Sequence, residues 1–160
     1  TGERTPHMSP QARGIFFGLT LGHDRASMTR AVVEGISHAL ADAMQCMEKL
    51  IPHTDCIILS GGGARSPLWK QIIADMLDRP IYTSSMTEEA GMGAALCAMV
   101  GTGAYASLSD ACKAIVYYED GFVAPIHTNT ELYREQHEIY RELYRANCSL
   151  FSRCGEPKEI

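Results

Sequence analysis

Chemistry in this chain is most plausible at Ser60-Gly61-Gly62-Gly63-Ala64-Arg65-Ser66-Pro67. Consecutive glycines clear a length of backbone of side chains, so a ligand can come close to the main chain. Ser66 is a preferred N-cap, and Pro67 suits the first helical position because it has no N–H to leave unsatisfied. The helix start beside the turn presents free N–H groups and the positive end of the helix dipole. Cys56-Ile57-Ile58-Leu59, just before, is a continuous apolar run. Such a run is expected of a parallel strand buried on both faces. The pattern therefore predicts a bare patch at the carboxyl end of a buried strand, where open α/β sheets bind ligands. The glycines should line a surface groove. The same residues also suit a tight strand-to-helix turn with no ligand, and the turn alone does not decide between the two.

Other reactive residue types are scattered. Glu34 and His38 lie one helical turn apart, which allows a catalytic pair but fits a solvated polar edge better. Asp24, Asp42, Asp55, Asp75, Asp78, Asp110 and Asp120 fall at expected caps, helix faces or loops, with no spacing that marks a base. There is no G-x-x-x-x-G-K-[ST] pattern. The six cysteines form no C-x-x-C, and the six histidines show no ligand spacing with them. This argues for buried free thiols in a reducing, cytoplasmic compartment and for no metal site.

A long helix from Asp24 to about Ile51 would present Met28, Val32, Ile36, Leu40 and Met47 as one buried stripe on the face of a sheet. A helix from Pro67 to about Asp78 follows the glycine turn, and Ile81 to Ser84 reads as a second strand, parallel to the first by the handedness of crossovers. Trp69 either covers the turn or packs in the core. Thr87 to Val100 is a helix rich in small residues, and a short helix capped at Ser107 or Ser109 runs to Ile115. Tyr117 to Thr128 reads as connecting loop, and Asn129 to Phe151 as a final amphipathic helix. Ile15 to Leu19 is a short strand candidate.

With 160 residues, the chain suits one domain that buries roughly 70% of its unfolded surface. A net charge of −5 without a basic run speaks against an electrostatic grip on nucleic acid or anionic membrane. No apolar stretch approaches the roughly 20 residues of a membrane span.

Taken together and in order, several blocks resemble the FGGY family of carbohydrate kinases, xylulokinase-type members among them. The blocks are Gly2-Glu3-Arg4-Thr5-Pro6-His7, Ala12 to Thr20, Arg30-Ala31-Val32-Val33-Glu34-Gly35, Ser60 to Trp69, Glu89 to Ala95, and the tyrosine-rich last helix. Ser27 departs from the pattern, since the family usually has His, Asp, Glu, Asn or Gln before the position of Met28. The resemblance implies an α/β fold: part of an actin-like, hexokinase-like (ribonuclease H-like) ATPase domain, with a short parallel-containing sheet packed by helices. It implies that residues 1–160 are the later part of one C-terminal kinase domain. It implies ATP and Mg²⁺ as cofactors of the full-length enzyme, and transfer of the γ-phosphate to a sugar hydroxyl, D-xylulose first among the sugars. Carried over by position, Gly61, Gly62, Gly63 and Ala64 would lie under the adenosine, Ser66 beside the adenine, and the Gly91 to Ala95 helix against that pocket. The family's catalytic aspartate, phosphate turn and sugar site would lie before residue 1, so the chain alone is expected to be inactive. The oligomeric state stays open, a homodimer included.

Two other classes compete. Gly61-x-Gly63-x-x-Ser66 half-matches the dinucleotide-binding fingerprint of an oxidoreductase, but Ser replaces the third glycine. The acid expected to end the second strand is also missing, for none occurs from Ile81 onward until Glu88. The other class is a non-catalytic actin-like nucleotide-binding module.

Overall fold

The structure, a computed structural model, describes residues 2–51, 53–85 and 88–154. It divides into two compact units, one formed by Thr1–His53 with His127–Ile160 and the other by Thr54–Ile126. No helix among the described residues is long and apolar enough to cross a membrane.

The second unit carries the glycine turn. Strands β1 (Ile57–Leu59) and β2 (Ile81–Thr83) pair in parallel, with Ile57 opposite Ile81 and Leu59 opposite Thr83. Helix α2 (Pro67–Leu77) makes the crossover between them, and Asp78 ends it in a left-handed conformation. Ile73, Ala74 and Ile81 are the buried centre, with Ile57, Leu59, Trp69, Leu77 and Val123 packed around them. The apolar run before the glycines is not buried on both faces. Ile58 is exposed while Ile57 and Leu59 are partly covered, so only the α2 side of β1 is packed.

The segment after residue 116 is more than a connection. Ile81 and Val123 exchange backbone hydrogen bonds of 2.9 Å each way, Glu119 N–H donates to the Thr83 carbonyl, and Ser85 N–H donates to that of Tyr117. The segment thus lies antiparallel along the free edge of β2. Asp75 on α2, 2% exposed, anchors it by accepting from Ile126 N–H at 2.8 Å while also accepting from Gln71 Nε2 at 2.7 Å. Helices α3 (Glu89–Gly101) and α4 (Leu108–Ile115) pack chiefly on each other. The Ser107 hydroxyl accepts from Asp110 N–H to cap α4.

In the first unit, α1 (Arg25–Met47) packs on α5 (His127–Phe151). The Asp24 carboxylate accepts from the Ser27 hydroxyl at 2.7 Å and from Ser27 N–H at 2.8 Å to cap α1, and these two bonds, the hydroxyl's first, hold the carboxyl below its ordinary pKa. α1 ends at Met47, short of Ile51. Its expected buried stripe is not buried. Val32, Ile36, Leu40 and Met47 are 43–51% exposed, and Met28 is half-buried. The face against α5 is the polar one, where Ser37, His38, Ala41 and Asp42 are buried against Thr130, Tyr133 and His137. The physical reason is complementarity: α5 brings hydroxyl and imidazole groups, and these find partners on α1's polar side. The apolar side instead borders a groove of about 660 Å³ lined by Phe16, Phe17, Val32, Ile36, Tyr140 and Leu143, among others. Ile15 to Leu19, expected as a strand, lines this groove without forming one. The cysteines are free, as expected, but they are not buried: five are exposed and Cys112 is intermediate.

Candidate functional site

The glycine turn follows the last residue of β1. Ser60 leads into Gly61, whose φ of +80° lies where side chains are strained, so glycine is the natural residue there. Gly62–Arg65 then form a single 3₁₀ turn, closed by Ala64 N–H to Gly61 carbonyl at 3.1 Å and Ser66 N–H to Gly63 carbonyl at 3.2 Å. The Ser66 hydroxyl accepts from Trp69 N–H at 3.3 Å, and Pro67 is the first residue of α2. The expected order of strand, glycine turn, Ser cap and helix is therefore present.

The five candidate ligand-contacting residues are not equivalent. Gly61 and Gly62 are exposed, and a Cβ on either would meet nothing within 4 Å. Their backbone thus faces open space, and the groove of about 660 Å³ beside α1 does not include the turn, which the sequence expected to line one. Gly63 is covered: a Cβ there would stand 2.6 Å from Trp69 Cζ3 and 2.9 Å from Cε3. Trp69 therefore both covers the turn and packs against the Ile73–Ala74–Ile81 core. Ala64 is buried, so it offers a ligand little beyond its backbone's support of the turn. Ser66 uses a lone pair for its cap and keeps its hydroxyl hydrogen for another acceptor.

At the carboxyl end of β2, beside the end of β1, Lys70 Nζ donates to Thr83 Oγ1 at 3.3 Å and lies 3.7 Å from Glu119 Oε2. The small-residue helix α3 has α4 as its principal neighbour rather than the glycine turn. Among the described residues no group of three or more His, Cys, Asp or Glu side chains could hold a metal ion.

Sequence reasoning missed a polar cluster in the first unit. Glu34 and His38 do not pair, and neither faces solvent freely. The Tyr133 hydroxyl and Arg30 Nε each donate to Glu34 Oε1 at 2.7 Å. Burial and this bond to Glu34 push the Tyr133 hydroxyl up to about 12. His38 Nδ1 lies 3.2 Å from His137 Nδ1. His137 Nε2 lies 3.3 Å from Asp42 Oδ1, and Arg141 Nε lies 3.4 Å from the same oxygen. The signal available in the sequence was the four-residue spacing of Glu34, His38 and Asp42 beside that of Tyr133, His137 and Arg141, which marks two polar stripes of matching period.

A glycine turn at the carboxyl end of a parallel strand, followed by a capped helix, is where open α/β sheets bind ligands, and the comparisons with known proteins give the family. The FGGY family of carbohydrate kinases, C-terminal domain, matches residues 1–102, and the chain belongs to that family. Its fold is that of the actin-like ATPases shared by the sugar kinases. Xylulose kinase of Staphylococcus epidermidis is 34% identical over 144 residues, which cover 90% of this chain and 29% of that protein. The structure of ligand-bound xylulose kinase from Lactobacillus acidophilus superposes with a TM-score of 0.86 at 27% identity, over 95% of this chain and 31% of that one. Gluconate kinase from the same organism gives 0.83 at 26% identity, over 92% of this chain and 30% of that one. The chain thus spans about three-tenths of the length of the relatives it matches.

Proposed function

We propose that this chain is the adenosine-binding portion of a sugar kinase that transfers the γ-phosphate of ATP to a sugar hydroxyl, with D-xylulose as the substrate. Both units would then belong to the later part of one C-terminal kinase domain, working in the cytoplasm. The carrying observation is the exposed, unobstructed backbone at Gly61 and Gly62, set between β1 and the Ser66-capped α2, in a member of a carbohydrate kinase family. Gly61 and Gly62 would lie against the adenosine, Gly63 and Ala64 would hold the turn's shape beneath it, and the Ser66 hydroxyl would donate to the adenine ring.

ATP would supply the phosphoryl group, and Mg²⁺ would neutralise its phosphate charge, a role to which no residue of this chain is assigned. Phosphoryl transfer also needs a carboxylate at the attacking hydroxyl. None of the aspartates here is proposed for it: Asp42 and Asp75 are buried in ion pairs and hydrogen bonds, and Asp24 caps a helix. The dinucleotide-oxidoreductase reading loses its support to the family match.

The test is a chimera in which these residues replace the matching segment of Staphylococcus epidermidis xylulose kinase. A folded chimera should release ADP in a xylulose-dependent manner, and Gly62→Val within it should raise the KM for ATP. A folded chimera that releases no ADP with xylulose would overturn the kinase reading.

A further inference from the structure

His137 on α5 has a group of α1 beside each ring nitrogen. His38 Nδ1 faces its Nδ1 at 3.2 Å, and the Asp42 carboxylate lies 3.3 Å from its Nε2 without a hydrogen bond between them. All three side chains are buried, with 5–6% of each residue exposed. We propose that His38, His137 and Asp42 form a proton-counting clamp that holds α5 on α1 at neutral pH and releases it on acidification.

The geometry sets the proton positions. A bare Nε2 lone pair 3.3 Å from a carboxylate oxygen would be repelled even where the angle makes no hydrogen bond, so Nε2 of His137 carries hydrogen. A neutral His137 then has a bare Nδ1, and His38 must donate through its own Nδ1–H. One carboxylate on α1 thereby fixes the tautomers of two rings on two helices. One added proton can be taken up at His38 Nε2 without losing the inter-ring bond. A second would place N–H groups on both facing nitrogens of two cations at 3.2 Å, and the contact must open.

The surrounding charges set the direction. Glu34 and Asp42 on α1 and Glu138 on α5 favour charged rings, whereas burial and the Arg141 guanidinium oppose them. Arg30 is held by Glu34 and Tyr133, Tyr140 stacks on His38 at 5.1 Å, and Glu3 in the N-terminal segment acts on Tyr140. His7 of the same segment lies 3.7 Å from Asp42 Oδ2 and stacks on Tyr144 at 3.8 Å. The balance keeps both imidazoles below their ordinary 6.5, with burial the largest cause and His38 lowered to about 4. A group depressed in the closed form contributes stability above its ordinary pKa and loses it as pH falls toward the depressed value. Acid therefore favours the open form between pH 6.5 and about 4.

Two measurements on the 160-residue chain test this. Long-range ¹H–¹⁵N correlation at neutral pH should find hydrogen on Nδ1 of His38 and on Nε2 of His137. Hydrogen exchange, corrected for the intrinsic pH dependence, should show α5 protection falling toward about tenfold per pH unit between roughly pH 6 and pH 5 for each proton taken up on opening. Protection in α2 of the other unit should stay level. His38→Asn keeps a donor near the Nδ1 position but cannot titrate, so the fall should flatten. If that variant fails to fold, the tautomers and pH profile of the unaltered chain decide. The opposite tautomers, α5 protection that ignores pH, or an unchanged fall in folded His38→Asn would overturn the clamp.

Discussion

Glycine 62 and glycine 63 are adjacent and make opposite predictions. Open space surrounds the Cβ position of Gly62, and its φ is not in the left-handed region. Gly62→Val should therefore leave stability within about 0.5 kcal/mol, as exposed substitutions usually do, yet remove adenosine binding by filling the cradle. A urea titration beside a binding titration checks both halves, and tight binding by the folded variant would move the ligand off this turn. Gly63→Ala, in contrast, drives a methyl into the Trp69 ring. It should cost about 1–3 kcal/mol, the usual range for overpacking. Trp69 is the chain's single tryptophan, so its fluorescence reports the loss directly. An unchanged urea midpoint would show that the ring moves aside freely. The glycines and the Ser-Pro helix start were legible because their backbone demands are local. The double role of Trp69 was not, because a sequence gives no ring placement.

Helices were the most legible elements, since caps and period are local signals. Asp24 and Ser66 each cap the helix they were expected to start, and of Ser107 and Ser109 it is Ser107 that caps α4. Faces and edges were less legible, because they depend on which element arrives from elsewhere. The apolar stripe of α1 suggested a loss of about 2–5 kcal/mol for Ile36→Ala, the value for a fully buried site. With Ile36 47% exposed, the expected loss for this chain is about 1 kcal/mol, since only part of the side chain leaves water. A loss near 4 kcal/mol in a denaturant titration would contradict the exposed face. The 117–126 segment was hidden for a similar reason: isolated bridges to β2 need no alternating apolar run. Asp75 is its anchor, so Asp75→Ala should cost about 1.5–3 kcal/mol, as lost hydrogen bonds to a charged group do. It should also speed amide exchange at Ile126 before that of β1. Retained protection at Ile126 would mean that another contact holds the segment.

At the scale of the whole molecule, the ordered blocks carried more than any single motif, and family and fold followed from them. A half-matching dinucleotide fingerprint, read alone, pointed to different chemistry. The chain covers 29% of the Staphylococcus epidermidis enzyme, and no aspartate in it is assigned as base. Sugar-dependent ADP release by the purified 160-residue chain is therefore expected to be nil, and a coupled assay with xylulose checks it against a contaminant control. The proposed adenosine binding would be local to the turn and should survive without phosphate contacts. Its dissociation constant should be on the order of 1 mM, about −4 kcal/mol. The most direct measurement is titration of the ¹⁵N-labelled chain with adenosine and with ATP, followed by NMR. The expected result is a saturable shift at Gly61 to Ser66 and at the Trp69 indole, with similar affinity for both ligands. Saturation with shifts confined to other residues, or no shift at the glycine turn at ten times that concentration, would contradict an adenosine site there.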